Sequence, residues 1–335
     1  MKSAHIYGVR DVRVQDDPMP DLAAGEALIQ VRSVGVCGSD LHWFEEAGIG
    51  DAVLETTLVP GHEFAGMVVT GDLQGARVAV DPSIPCGVCE FCREGNPNFC
   101  QRGRFAGFGP THGAMREYIA WPRANLYALP DRMSFADGAM LEPLGTAMHA
   151  IDLAHLRLGS DVGVFGCGPI GLLAVQLLRS MGAARIFATD LLPHRLEAAR
   201  AWGATDVFLA EGGKEAQQIL AATGGRGLDA ALEISNHGAA VEAAIDASKP
   251  GAAVILVGIP DDDRTSFRAS TARRKGLTLR LSRRMKHTYR RAIALVEDER
   301  VDVRAVVSHT FPLEDSQQAF TVAARRDGLK VVIEP

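Results

Sequence analysis

Gly35-Val36-Cys37-Gly38-Ser39-Asp40-Leu41-His42 and, after a loop, Pro60-Gly61-His62-Glu63-Phe64 hold the residue types most able to do chemistry. Cys37, His62 and Glu63 offer a thiolate, an imidazole and a carboxylate, donors that a zinc ion accepts. Three protein ligands leave a fourth tetrahedral position to water or substrate, the mark of a catalytic rather than a structural zinc. Taken alone, each half also reads as a tight turn or a packed core pair. The rest of the chain has to decide.

A second set, Cys86, Cys89, Cys92 and Cys100, has the spacing C-x2-C-x2-C-x7-C in a loop rich in Gly, Pro and Asn. Four thiolates close a tetrahedron with Zn–S bonds of about 2.3 Å and leave no open position, so this metal is expected to be structural. Two disulfides or an iron–sulfur cluster could use the same residues. The missing export signal argues against the first, and the neighbouring His/Glu set against the second. Glu142 lies in the otherwise apolar run Met140–Ala147, where a carboxylate costs desolvation unless it is paired or near a metal. Its other reading is a carboxylate at a helix N-terminus.

Gly166-Cys167-Gly168-Pro169-Ile170-Gly171 is a G-x-G-x-x-G that follows one expected strand and opens an expected helix, the context this motif needs. The glycines let the backbone approach a pyrophosphate at the positive end of the helix. Cys167 in this turn reads as a small packed residue. Asp190 stands nineteen residues after Gly171, where an acid binds ribose hydroxyls and repels the extra phosphate of NADP. Arg195 could tolerate that phosphate. NAD is the expected coenzyme, with NADP the alternative.

These groups need a scaffold. At 335 residues the chain has room for two domains. Ala27–Val36, Phe64–Val69, Ala76–Val80, Gly113–Ile119 and Asn125–Ala128 read as short strands of an antiparallel β-domain. From Asp161, strands alternate with helices: Val162–Phe165, Arg185–Thr189, Asp206–Leu209, Asp229–Ile234, Ala253–Val257 and Leu277–Leu281, with helices over Leu172–Met181, His194–Trp202 and Gly238–Ser248. That alternation predicts a doubly wound six-stranded parallel sheet of the Rossmann type. The tail, with a helix over Thr288–Val296, another over Asp315–Ala324 and a strand over Leu329–Ile333, is expected to rejoin the first domain. A cleft with zinc on one wall and nicotinamide on the other would result.

A formal charge of -6 gives no basic stripe for a nucleic acid. The Arg-rich run Arg273–Arg291 is the local exception, a solvated face or a contact for dinucleotide phosphates. No stretch approaches 18 apolar residues, and the N-terminus has no apolar h-region, so a membrane span and a signal peptide are not expected. Six cysteines in such a chain suggest reduced thiols and metal ligation in a cytoplasmic protein.

Together these marks resemble the zinc-dependent medium-chain dehydrogenases over essentially the whole chain, most closely the sorbitol (polyol) dehydrogenase branch. They are Gly-Val-Cys-Gly-Ser-Asp-Leu-His, Ala47-Gly48-Ile49-Gly50, Gly-His-Glu, the four-Cys lobe and Glu142-Pro143-Leu144. The resemblance implies a mostly antiparallel, GroES-like catalytic domain over 1–147 with its zinc lobe at 85–101, an NAD-binding Rossmann domain over 148–286 and a catalytic return segment over 287–335. It implies Cys37, His62 and Glu63 as catalytic-zinc ligands, Glu142 beside the metal, and Ser39 and His42 in a proton relay. Gly166, Gly168, Pro169, Ile170, Gly171, Asp190, Arg195, Gly258 and Arg284 would contact the coenzyme. The implied assembly is a homodimer or homotetramer. Trp43 and Met285 depart from the branch, which has Tyr at both positions to help hold a linear polyol.

The implied reaction passes a hydride between a secondary alcohol, polyol or sugar, and NAD. A bound metal can lower the pKa of water from about 15.7 to about 7. A comparable shift for an alcohol is worth roughly 12 kcal/mol at about 1.36 kcal/mol per unit. A positioned general base supplies only about 3–5 kcal/mol. Zinc is therefore expected to carry the deprotonation, with Ser39 and His42 only conducting the proton. Two other readings are a threonine 3-dehydrogenase-like amino-alcohol dehydrogenase and a non-catalytic, crystallin-like NAD-binding protein.

Overall fold

The computed structural model describes residues 1–335, which form two compact units. The first comprises Met1–Glu142, Tyr289–Asp298 and Val303–Pro335, the second Pro143–Thr288 and Glu299–Asp302.

The first unit is organised around the strand Glu26–Gly35. Its burial alternates as a strand with one face on a core should, with Ala27, Ile29 and Val31 almost wholly inside. It pairs antiparallel with Glu63–Val68, Tyr118–Pro122 and Lys330–Glu334. The full path of the sheet runs Leu126–Ala128, Arg77–Val80, Glu63–Val68, Glu26–Gly35, Lys330–Glu334, Val307–Pro312. Its last pair is parallel. The C-terminal tail thus adds two strands to this sheet. Register sets Gly35 opposite Glu63 and also opposite Val332.

The stretch Gly113–Ile119, expected as a strand, is strand only from Tyr118, and the strand continues to Pro122. Gly113, Ala114 and Met115 instead give their N–H groups to the carbonyls of Val59, Gly61 and Pro60. A Cβ on Gly113 would lie 2.3 Å from the Gly61 carbonyl oxygen, so this segment is a wall against the His62 loop and not a ladder. The N-terminal hairpin of Lys2–Gly8 with Asp11–Asp16 was not anticipated.

The second unit is a parallel sheet of Asp206–Leu209, Arg185–Asp190, Asp161–Phe165, Leu228–Glu233, Ser248–Leu256 and Thr278–Leu281, in that spatial order. In order of appearance this is 3-2-1-4-5-6, the doubly wound arrangement with its reversal between the first and fourth strands. Helices Pro169–Ser180, Pro193–Trp202 and Gly238–Ala247 cover it, with two shorter ones, Lys214–Ala222 and Ala269–Lys275, beyond the three expected. Leu172 to Leu178 are all buried, because a helix packed on a fully covered sheet has little polar face. Each such aliphatic side chain contributes about 1.5–3 kcal/mol of burial. Glu299–Asp302, expected with the return segment, packs here. The Asp302 N–H donates to Gln176 Oε1 at 2.7 Å and the Arg300 guanidinium to the Ser180 carbonyl at 2.8 Å. Part of the Arg-rich run is internal fastening. Lys275 Nζ donates to the carbonyls of Ile245, Asp246 and Ser248, and Arg280 to that of Leu153.

Candidate metal centres and dinucleotide turn

Cys37 caps the helix Gly38–Glu46 with an extended backbone, and its N–H donates to Asp40 Oδ2 at 2.9 Å. Asp40 sits at the third position of that helix, reaching back to the cap. Its other oxygen accepts from the Gly61 N–H at 3.2 Å and faces His62 Nδ1 at 3.6 Å. One buried carboxylate thus ties the Cys37 turn to the His62 loop. With Nδ1 facing Asp40, Nε2 is the nitrogen left for a metal. Ser39 Oγ lies 3.4 Å from that Nε2.

One ligand atom from each of Cys37, His62 and Glu63 lies within 4.8 Å of the other two. A tetrahedral ion with bonds of about 2.0–2.3 Å needs ligand separations of about 3.3–3.8 Å, so small side-chain adjustments suffice. The charges also fit. Asp40, Glu63 and Glu142 are each at most 5% exposed. The cation fixed against them is Lys330, whose Nζ lies 2.6 Å from each oxygen of Glu63. Its hydrogen bond is aligned with Oε1, which leaves Oε2 without a hydrogen-bond donor. Burial and the Glu63 carboxylate push the Cys37 thiol well up. Burial pushes Glu142 up to about 7, against the pull of His62. Three buried carboxyls and a thiol against one ammonium form a donor set that a divalent cation would complete. Gly35 is required here, since a Cβ would fall 2.1 Å from Glu63 Oε2.

Cys86, Cys89, Cys92 and Cys100 also have all four sulfurs within 4.8 Å of one another. Cys89 Sγ is 3.4 Å from Cys92 Sγ and 3.9 Å from Cys100 Sγ. Those values bracket the edge of about 3.8 Å in a tetrahedron with 2.3 Å bonds. The four are free cysteines and not two disulfides. Backbone N–H groups of Val88 and Cys89 pull the Cys86 thiol down to about 6, favouring a thiolate.

In the second unit the first glycine of the turn, Gly166, has φ of 104°, and a Cβ there would lie 2.8 Å from the Ile234 carbonyl oxygen. A Cβ on Gly171 would lie 1.9 Å from the Gly166 carbonyl oxygen. Gly168 is different. Nothing lies closer to its would-be Cβ than Arg195 at 3.8 Å, so its open face suits a phosphate approaching the backbone. Pro169 opens the helix. Asp190 accepts from the Cys167 N–H at 2.7 Å on one oxygen and the Leu192 N–H at 2.9 Å on the other, holding the turn. Cys167 is fully buried. Gly258 abuts Ser235, and Arg284 has a φ of 54°, uncommon for a residue with a side chain.

The expected relay is less complete. Ser39 and His42 share a helix face at i and i+3, and His42 Nδ1 lies 3.4 Å from Glu46 Oε1. Trp43 is 2% exposed and packs edge-on against Phe108, and Met285 accepts from the Thr288 hydroxyl. Neither departure from the polyol pattern brings in a hydroxyl. Sequence reasoning missed Lys330, Asp40 as the tie between halves, and Phe105, whose ring lies 5.2 Å from that of His62. A lysine inside the apolar run Leu329–Ile333 was the available signal for the first.

A two-unit chain with a thiolate–imidazole–carboxylate cluster, a four-thiol lobe and a dinucleotide turn is of the zinc dehydrogenase class. The zinc-binding dehydrogenase family matches residues 169–298, and the alcohol dehydrogenase GroES-like domain matches 23–131. The sorbitol dehydrogenase of Bacillus subtilis is 33% identical, the match covering 100% of this chain and 97% of that protein. A probable D-xylulose reductase A of Arthroderma otae is 35% identical over 98% and 95%. The solved structure of L-idonate 5-dehydrogenase from Escherichia coli superposes with a TM-score of 0.92 at 27% identity, covering 100% of this chain and 98% of that one. Solved relatives at 26% and 25% identity hold NADP and NADH. The chain belongs to the zinc-dependent medium-chain dehydrogenases, in their polyol dehydrogenase-like branch. No helix is long and apolar enough to cross a membrane.

Proposed function

We propose that this protein oxidises a secondary alcohol of a polyol or sugar with NAD, using one catalytic and one structural zinc. Cys37, His62 and Glu63 would hold the catalytic ion, and Cys86, Cys89, Cys92 and Cys100 the structural one. When bound, the catalytic ion supplies Lewis acidity that lowers the pKa of the substrate hydroxyl. Asp40 fixes His62 so that Nε2 faces inward. Glu142, buried and poised near neutrality, accepts a hydrogen bond from the substrate or from water. Ser39 Oγ takes the hydroxyl proton and His42 passes it outward, with Glu46 beside it. NAD, when bound, would supply the hydride acceptor, leaving the substrate carbon as a ketone. Gly166, Gly168, Pro169, Ile170 and Gly171 would cradle the pyrophosphate. Asp190 would bind the adenosine ribose and favour NAD over NADP, with Arg195, Gly258 and Arg284 as further contacts. The assembly proposed is a homodimer or homotetramer.

The convergence of Cys37, His62 and Glu63 around buried negative charge carries this reading. The test is NADH formation across polyols, sugars and threonine, with NADP in parallel and zinc quantified. Two zinc ions per chain and turnover of a polyol or sugar are expected. Turnover of threonine alone would move the assignment to an amino-alcohol dehydrogenase, and a protein that binds no zinc and turns over none of these substrates would be non-catalytic.

A further inference from the structure

Glu233 ends the fourth strand of the parallel sheet, on the side of the strand-order reversal away from Asp190. It is 3% exposed, and no step above uses it. Its Oε1 accepts from both the N–H and the hydroxyl of Ser235, at 2.8 and 2.7 Å. Its backbone carbonyl accepts from the N–H of Val257 at 2.8 Å and of Gly258 at 3.3 Å. The next residue, Ile234, donates its N–H to the Phe165 carbonyl and presses its own carbonyl on Gly166. Three segments therefore meet at this residue: the glycine turn, the loop after Glu233 and the loop after Leu256. The fit is close, since a Cβ on Gly258 would lie 1.3 Å from the Ser235 carbonyl oxygen and 3.1 Å from Glu233 Oε1. Ser235 Oγ also accepts from the His237 N–H, at the start of the helix Gly238–Ala247.

In a doubly wound sheet the dinucleotide lies across the reversal, one mononucleotide on each half. Asp190 marks the adenosine half, on the second strand. The loops after the fourth and fifth strands belong to the other half, which takes the nicotinamide mononucleotide. We propose that Glu233 is a positioning residue for that half: by holding Ser235 and Gly258 in register it sets affinity for the nicotinamide moiety without touching the adenosine moiety. This rests on reading the second unit as a dinucleotide carrier. Burial pushes the Glu233 carboxyl up, against the donors on Ser235 and Gly258, so an uncharged isostere fits the site.

The test titrates the full-length zinc-loaded protein with NADH and, separately, with 5′-AMP. Glu233→Ala leaves Ser235 without its acceptor, and the NADH Kd is expected to rise about tenfold or more, with that of 5′-AMP within about twofold. Glu233→Gln keeps an accepting oxygen and restores NADH binding to within about threefold of wild type. Should Glu233→Ala not fold, Ser235→Ala decides, with a smaller rise for NADH alone. An unchanged NADH Kd in whichever variant is read, or a parallel loss of NADH and 5′-AMP, overturns the assignment to Glu233. Wild-type protein that binds neither ligand overturns the dinucleotide reading itself.

Discussion

The two units make their candidate sites from different material. In the second, the turn at 166–171 and Asp190 lie within twenty-five residues of sequence, and the proposed contacts are mostly backbone N–H groups shaped by glycines, with the Asp190 carboxylate beside them. In the first, the groups come from positions 37, 62, 63, 142 and 330, brought together by strand register and a helix cap. One site is a backbone cradle whose one carboxylate, Asp190, is already held by two N–H donors. The other is a buried charge imbalance that an ion would settle. A cradle tolerates being empty, whereas a charged cluster taken out of water does not, so metal and fold should be coupled in the first unit and coenzyme and fold nearly uncoupled in the second.

The largest effect should come from Cys37→Ala. If Cys37 is one of three ligands to an ion that would lower a hydroxyl pKa by several units, its removal should cut kcat more than 10³-fold. NADH binding, measured by fluorescence titration, should stay within about twofold. If NADH affinity collapses along with turnover, the two sites are not separable in this way and the contrast fails.

Lys330→Met tests the charge imbalance without replacing a proposed ligand, by removing the ammonium that contacts Glu63. The side chains of Lys330 and Glu63 are 4% and 1% exposed, and removing one partner of a buried pair costs about 3–5 kcal/mol. At about 2–4 °C per kcal/mol for a domain of this size, the unfolding midpoint of metal-stripped protein should drop by about 6 °C or more. Scanning calorimetry of chelator-treated wild type and variant reads it directly. Zinc should narrow the difference, because the ion replaces the lost cation beside Glu63. A variant as stable as wild type without metal would show that the first unit carries its charges at no cost.

How far the sequence could be read follows the same division. The parallel sheet was legible almost strand by strand, because fully covered strands are continuous apolar runs and glycines mark the turns between them. Even there, no helix was expected over Lys214–Ala222 or Ala269–Lys275: the second is seven residues and almost wholly polar, whereas the first carries a readable apolar face, with Ala216 and Ile219 buried. In the first unit the motifs named Cys37, His62 and Glu63 by type and spacing, but not what holds them. Asp40 looked like part of a turn, and Lys330 lay 267 residues from Glu63 in a strand whose partner only the fold reveals. In Gly113–Ile119 only Tyr118 and Ile119 are strand formers, and the strand starts there, while the N–H groups of Gly113, Ala114 and Met115 answer the Val59–Gly61 loop. Local pattern reports what a segment could do, and long-range register decides what it does.

Charge in the second unit should matter least, and Asp229 sharpens that side of the comparison. Its carboxylate accepts from Arg226 at 2.6 Å and from Lys249, and takes the Asp161 N–H at 2.8 Å, near the N-terminal edge of the sheet. Burial pushes this carboxyl up, but the donors outweigh it and hold it well below the usual carboxylate range. A carboxyl lowered on folding contributes stability that is complete above its unfolded value near 3.9 and is lost as pH falls through the folded value. The Arg226 side chain is 49% exposed, so solvent screening trims the contribution to about 1 kcal/mol. Asp229→Asn should therefore lower the urea midpoint modestly at pH 6. It should also lose less stability than wild type between pH 5 and pH 3, because the variant has no proton to take up at this position. Parallel pH profiles for the two proteins would mean that this cluster contributes nothing on folding. A loss at pH 6 as large as that expected for Lys330→Met would mean that the second unit, too, depends on a fixed charge.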